Sequence, residues 1–300
     1  MKPGAAFGAS RLFTRVAADL VSGEGRPLAI LLGRAALLLD PADDRARLVL
    51  ADALSADGAD ARAADLLDQI RSASIYAPAA NDARITVLTR AGRTTLALDA
   101  ARQVAAAPGA GAEPWQRYGD MLTAAGRFDD AAAAYGTALE RAGEGADWVL
   151  YLQRGGALEQ GKRWAEARPL LERAVELAPQ EPVALNYLGY AQLDRGENVA
   201  AATAMLERAA KLAPDDSSIT DSLGWAYVRT GQLVRGLPLL ETAARAQPAD
   251  VTIQEHLGDA YWQAGRRYEA RYAWRAAAVH AAGDDATRLS GKIAEGLAGS

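Results

Sequence analysis

Two histidines, His256 and His280, are the only imidazoles in the 300 residues, and cysteine is absent. That removes most nucleophilic and metal chemistry at once. The histidines lack metal-ligand spacing, there is no thiolate to hold zinc or attack a carbonyl, and neither H-E-x-x-H nor G-x-S-x-G occurs. No G-x-x-x-x-G-K-[ST] or G-x-G-x-x-G follows a predicted strand, so a phosphate-cradling loop is not expected either. His256 precedes Leu257-Gly258, where it is expected to face solvent or a partner, and His280 closes a helix whose negative end favours it. The acidic pairs Asp43-Asp44, Asp215-Asp216 and Asp284-Asp285 each precede a predicted helix and read as N-caps rather than cation ligands. No catalytic, cofactor or metal site is expected, which leaves the surface to do the work.

The elements that build this surface are helices. Half of the residues are apolar but only 6% are aromatic, and no run of β-branched residues alternates at period two. A net charge of -5 with scattered basic residues argues against nucleic acid as a partner. The longest apolar run, Pro27 to Leu39, is broken by Arg34 and too short to span a bilayer, so direct membrane insertion is not expected. The first residues, "MKPGAAFGASRLF", have no continuous apolar core and do not form a signal peptide.

A glycine inside a helix costs about 1 kcal/mol relative to alanine, yet Leu-Gly pairs recur at Leu188-Gly189, Leu223-Gly224 and Leu257-Gly258. Stepping by 34 residues defines eight units, beginning at Ser10, Asp44, Pro78, Ala112, Trp148, Pro182, Ser217 and Val251. Only two insertions interrupt the step, in "RAGEGAD" and in "DRGENVAA", both expected in loops. Position eight then reads Ala17, Ala51, Ile85, Gly119, Gly155, Gly189, Gly224 and Gly258. Position twenty reads Ala29, Ala63, Ala97, Ala131, Ala167, Ala202, Gly236 and Ala270, and prolines at position 32 of four units stop the second helix. Small residues in both columns would let two helices approach closely, so Gly224 is read as a packing residue. This pattern resembles the tetratricopeptide repeat, strongly from Ala112 onward and weakly in the unit at Pro78, where Ile85 replaces the small residue. The expected fold is all-α, an α-solenoid of eight helix-turn-helix units over residues 10–284. A short N-terminal extension (1–9) would precede it. A cap helix and tail (285–300), carrying Ala286, Leu289, Ile293 and Leu297 on one stripe, would follow.

In that family the concave groove is lined by positions 2, 5, 9 and 12 of each first helix. The partner-binding candidates here are Asn186 and Tyr190, Asp221 and Trp225, and Glu255, Asp259 and Trp262. Interleaved carboxylates and rings suit a protein or peptide partner with basic and apolar residues. Asp221 and Glu255 are expected to face away from the packed stripe, so reversing both charges would cost affinity and leave stability unchanged. Relatives that clamp a C-terminal carboxylate use lysine at position 5, where this chain offers Asn186, Asp221 and Glu255 and no lysine in any unit.

A closer resemblance covers Trp148 to Trp274. The strings "DSLGWAYVRTG" and "HLGDAYWQAG" are similar to the C-terminal half of a family of bacterial repeat proteins, often exported or lipid-anchored at the outer membrane. The resemblance implies an adaptor that holds envelope proteases or their substrates, periplasmic or outer-membrane-associated, with Met1 opening a fragment; without it, the expected compartment is the cytoplasm. The function expected is a non-enzymatic scaffold binding a protein segment. The alternative is a regulatory or targeting module cut from a larger enzyme or secretion machine.

Overall fold

The structure, a computed structural model, describes residues 4–297. Residues 1–3 of the expected N-terminal extension and 298–300 of the expected tail lie outside them. The described chain is helical throughout, without a strand, and divides into two units, residues 1–146 and 147–300.

The first unit contains four hairpins: α1 (Ala5–Leu20) with α2 (Arg26–Leu39), α3 (Asp44–Ala56) with α4 (Asp60–Leu67), α5 (Ala77–Arg90) with α6 (Thr94–Ala105), and α7 (Ala112–Ala124) with α8 (Phe128–Ala142). Helix α1 begins at Ala5, so most of the stretch read as an extension is helical. The second unit contains α9 (Trp148–Gln160) with α10 (Trp164–Leu177), α11 (Pro182–Asp194) with α12 (Val199–Leu212), α13 (Ser217–Arg229) with α14 (Leu233–Ala246), and α15 (Val251–Gln263) with α16 (Arg267–His280). Helix α17 (Gly283–Glu295) follows. Within it, first helices of successive hairpins touch, α11 with α13 and α13 with α15, and so line one face.

Aspartate starts several first helices. Asp43, Asp147, Asp216 and Asp250 accept backbone N–H bonds at the N-termini of α3, α9, α13 and α15. The third acidic pair differs from expectation: Asp284 and Asp285 lie inside the first turn of α17, after an N-cap at Ala282 with no side-chain bond, where they complement the dipole instead of capping.

The Leu-Gly column packs as its small size requires. A Cβ on Gly224 would stand 3.0 Å from Leu240 and 3.1 Å from the carbonyl of Gly236. Leu240 is the residue at position 24 of that unit, and the same column supplies Tyr135, Leu171, Leu206 and Trp274 in the neighbouring ones, all buried. Glycine at position 8 therefore makes room for a large residue at position 24. In the degenerate unit the sizes are reversed: buried Ile85 at position 8 shares its cluster with Ala101 at position 24.

The turn between the two helices of a hairpin is held by a second glycine column, with Gly231 at φ 77° and Gly265 at φ 76°. The equivalent residue of the α9–α10 hairpin is Lys162, at φ 61°. A side chain in this left-handed region costs roughly 1–2 kcal/mol. Lys162→Gly is therefore expected to raise stability by about 1 kcal/mol, less the entropy glycine adds to the unfolded chain. Thermal unfolding of the two proteins checks the sign.

Candidate protein-interaction groove

The face lined by α9, α11, α13 and α15 contains a cleft of about 350 Å³. Asn186, Tyr187, Tyr190, Ser218, Asp221 and Ile253 are among its walls, with Asp194, Thr252 and the capping Asp250 also bordering it. Of the seven residues singled out from sequence, Asn186, Tyr190 and Asp221 reach this cleft. The other four do not.

Trp225 and Trp262 are each only 8% exposed. Trp225 stacks on His256, with ring centroids 4.3 Å apart and planes 8° from parallel. Trp262 lies against Trp274 at 5.4 Å, beneath the guanidinium of Arg267. Both indoles fill space between helices: Trp262 because position 12 borders the packed stripe, and Trp225, at position 9, because it stacks on the first helix of the following hairpin.

Glu255 and Asp259 are also buried, and α17 holds them. Arg288 donates to Glu255 at 2.6 and 2.8 Å, and Lys292 reaches Glu255 at 2.7 Å and Asp259 at 2.7 and 2.8 Å. Asp259 also accepts from the Trp274 indole at 2.9 Å. The expectation that charge reversal at Asp221 and Glu255 would spare stability is thus overturned. A lysine at 255 would face Arg288 and Lys292, and one at 221 would replace a buried carboxylate bonded to His256. The cause is geometric: a residue turned away from its own hairpin's partner helix meets the first helix of the next hairpin, and α17 takes that place after α15.

The two carboxylates respond oppositely to this environment. Burial would raise the Glu255 pKa, but hydrogen bonds from Arg288 and Lys292 outweigh it and hold the group at about 2. For Asp259 burial wins, aided by the neighbouring Glu255 charge, and its pKa is raised despite Lys292. Glu255 therefore adds stability that is full above its ordinary pKa of 4.5 and is lost as pH falls toward 2. Asp259 works against this, since it accepts a proton more readily folded than unfolded. The Glu255 share is at most about 3 kcal/mol, reduced by solvent at the half-exposed Arg288. Glu255→Gln should flatten the fall in melting temperature between pH 4.5 and 2.5, and an equally steep fall in that variant would show that the pair contributes nothing.

His256 does not face solvent, one of the two places its sequence position allowed. It is buried, and its Nδ1 lies 2.8 Å from Oδ2 of Asp221. A carboxylate only accepts, so Nδ1 carries the proton and donates. In the neutral ring Nε2 can then accept from the Tyr190 hydroxyl, 3.4 Å away. Burial and the nearby Asp194 and Asp221 carboxylates raise the pKa of that hydroxyl, so it stays protonated. Asp221 and His256 are 35 residues apart, one repeat plus one. The same spacing joins Arg117 to Asp82 at 2.8 Å. That spacing is the signal that could have found the pair.

Among the described residues no group of three or more His, Asp or Glu could hold a metal ion, and no helix is long and apolar enough to cross a membrane.

A family profile described as tetratricopeptide repeat matches residues 119–182, 152–217 and 222–286, more than half of the chain. No curated protein sequence is significantly similar to it. Among solved structures it is similar to the crystal structure of the APC/C hetero-tetramer Cut9-Hcn1, at 15% identity and a TM-score of 0.62, over 97% of this chain and 57% of that one. The chain thus spans little more than half the length of that neighbour. It is also similar to a tetratricopeptide repeat protein from Parabacteroides merdae, at 14% identity and a TM-score of 0.60, over 94% and 97% of the two chains. A thermophilic TPR protein from Thermus thermophilus aligns over 61% of this chain and 99% of its own, at 19% identity and a TM-score of 0.53. At these identities the likeness is one of fold.

Proposed function

Because the chain belongs to the tetratricopeptide-repeat family, whose fold generally serves as a non-catalytic interaction module, we propose that it is an adaptor that binds a segment of a partner protein in the cleft of α9–α15. The observation that supports this reading most is the cleft itself. In it the first helices of four successive hairpins present polar groups and tyrosine rings together, beside exposed Ser218 and Thr252. The partner class follows from the resemblance of Trp148–Trp274 to bacterial envelope adaptors: a protease or assembly complex of the cell envelope, with the protein placed in the periplasm or at the outer membrane.

Site-specific photo-crosslinking in cells tests it. A photoreactive residue at Ser218 or Thr252 should trap a partner, whereas one at Tyr268, 91% exposed on α16 and outside the cleft, should not. Crosslinks from Tyr268 alone would move the binding surface to the second helices. Fractionation of the crosslinked cells tests the compartment, and a partner found only in the cytosol would remove the envelope reading.

A further inference from the structure

Two acceptor atoms in the cleft are buried without a hydrogen-bond donor, Oδ1 of Asn186 and Oδ1 of Asp221. Asp221 is 4% exposed, and its other oxygen is already committed to His256. Leaving such an atom unmet costs about 1–3 kcal/mol, and more when it carries charge. The two come from equivalent positions of adjacent hairpins, on α11 and α13. Both need donors and neither can supply one.

The walls add a sign and a shape. Glu159, Asp194, Asp221 and Asp250 line the cleft against a single base, Arg195, which is tied to Glu159. The rings of Tyr187 and Tyr190 line it as well. A cation is favoured by the charge. A planar one with several fixed donors suits two acceptors on different helices and a ring face beside them. An ammonium is a strongly hydrated point charge and must shed more water to enter.

We propose that this cleft is an arginine-recognition site, taking the guanidinium of one arginine from an extended segment of the partner between Asn186 and Asp221. The site rests on the adaptor reading and names what that adaptor recognises. Asp194 and Asp250 draw the basic segment in, and Asp221, fixed by His256, sets the position of the guanidinium. The recognition is of arginine in a polypeptide, not of basic charge in general.

The test uses the whole chain and four blocked nonapeptides of alanine and serine, with arginine, lysine, citrulline or alanine at the centre, titrated by NMR. The arginine peptide should produce saturable shifts in amides of α11 and α13. Citrulline keeps the planar shape and loses the charge, and should bind at least tenfold more weakly. Lysine should bind several-fold more weakly. Asn186→Leu, which leaves the Asp221–His256 pair intact, and Asp221→Asn should each weaken the arginine peptide at least fivefold, with circular dichroism confirming that both variants fold. Citrulline binding as well as arginine, or Asn186→Leu binding as well as wild type, would overturn the assignment. So would an inert arginine peptide. If a residue at Ser218 still crosslinks a partner in that case, the adaptor reading stands and only the arginine site falls; loss of both removes the two together.

Discussion

A chain stopped after Ala282 is expected to lose several kcal/mol of stability in its second unit and to self-associate. Helix α17 buries Leu289 completely and packs Ile293 against Trp262 and Trp274, and Leu297, just past the end of the helix, joins the same cluster. Fully burying a side chain such as Leu289 is worth roughly 1.5–3 kcal/mol, and the partly buried Ile293 and Leu297 add less each. Its two cations matter as much. Without Arg288 and Lys292, Glu255 and Asp259 would be carboxylates beside an exposed apolar patch with their charge partners gone, a situation that costs about 3–5 kcal/mol when the site stays dry. The truncated face can relax by admitting water, so the electrostatic loss is partly recovered, whereas the bared indoles can be covered only by another molecule. Light scattering should show association, thermal unfolding a lowered transition, and a synthetic peptide of residues 283–297 should reverse both. A monodisperse truncated chain that melts like the parent would mean that α17 is an appendage and not the end of the stack.

This helix also shows where the sequence was readable and where it was not. The apolar stripe of Leu289 and Ile293 was visible as a cap because burial follows helical periodicity within one element, while the expected fourth member of the stripe, Leu297, lies past the end of the helix. The partners of Glu255 and Asp259 were not visible by that logic. Arg288 and Lys292 lie 33 residues further on, so the pairing depends on α17 occupying the position of a first helix, a fact about stacking and not about any one helix. The hairpins themselves were legible, since α3, α7, α9, α11, α13 and α15 begin where the 34-residue step places a first helix. The candidate groove was legible only in part. Position within a helix placed Asn186, Tyr190 and Asp221 on the inner face, and the same rule placed Trp225 and Trp262 there. Their bulk carries them into the next helix, which a rule of angular position does not take into account.

The small-to-large pairing of positions 8 and 24 leads to the second large effect. Gly258→Ala is expected to destabilise the α15–α16 hairpin by about 1–3 kcal/mol, although at an exposed helical site the same change gains about 1 kcal/mol. The added methyl would fall on the indole of Trp274. That ring cannot swing aside, because it is fully buried and its N–H is bonded to Asp259. The backbone must part instead, and in a close-packed interior the strain spreads to Trp262 and α17. The reversed pair in the α5–α6 hairpin supplies the converse. Ile85→Gly should open a cavity beside Ala101 and cost about 3–5 kcal/mol, and Ala101→Leu added to it should recover part of that loss by restoring the order of sizes found in the later hairpins. Ala101→Leu alone, with Ile85 in place, should overpack and destabilise. Unfolding free energies for this double-mutant cycle should therefore differ from additivity by more than about 1 kcal/mol. Strict additivity at 85 and 101, or a gain in stability from Gly258→Ala, would show that the two columns do not share a packing space and that the glycines have another cause.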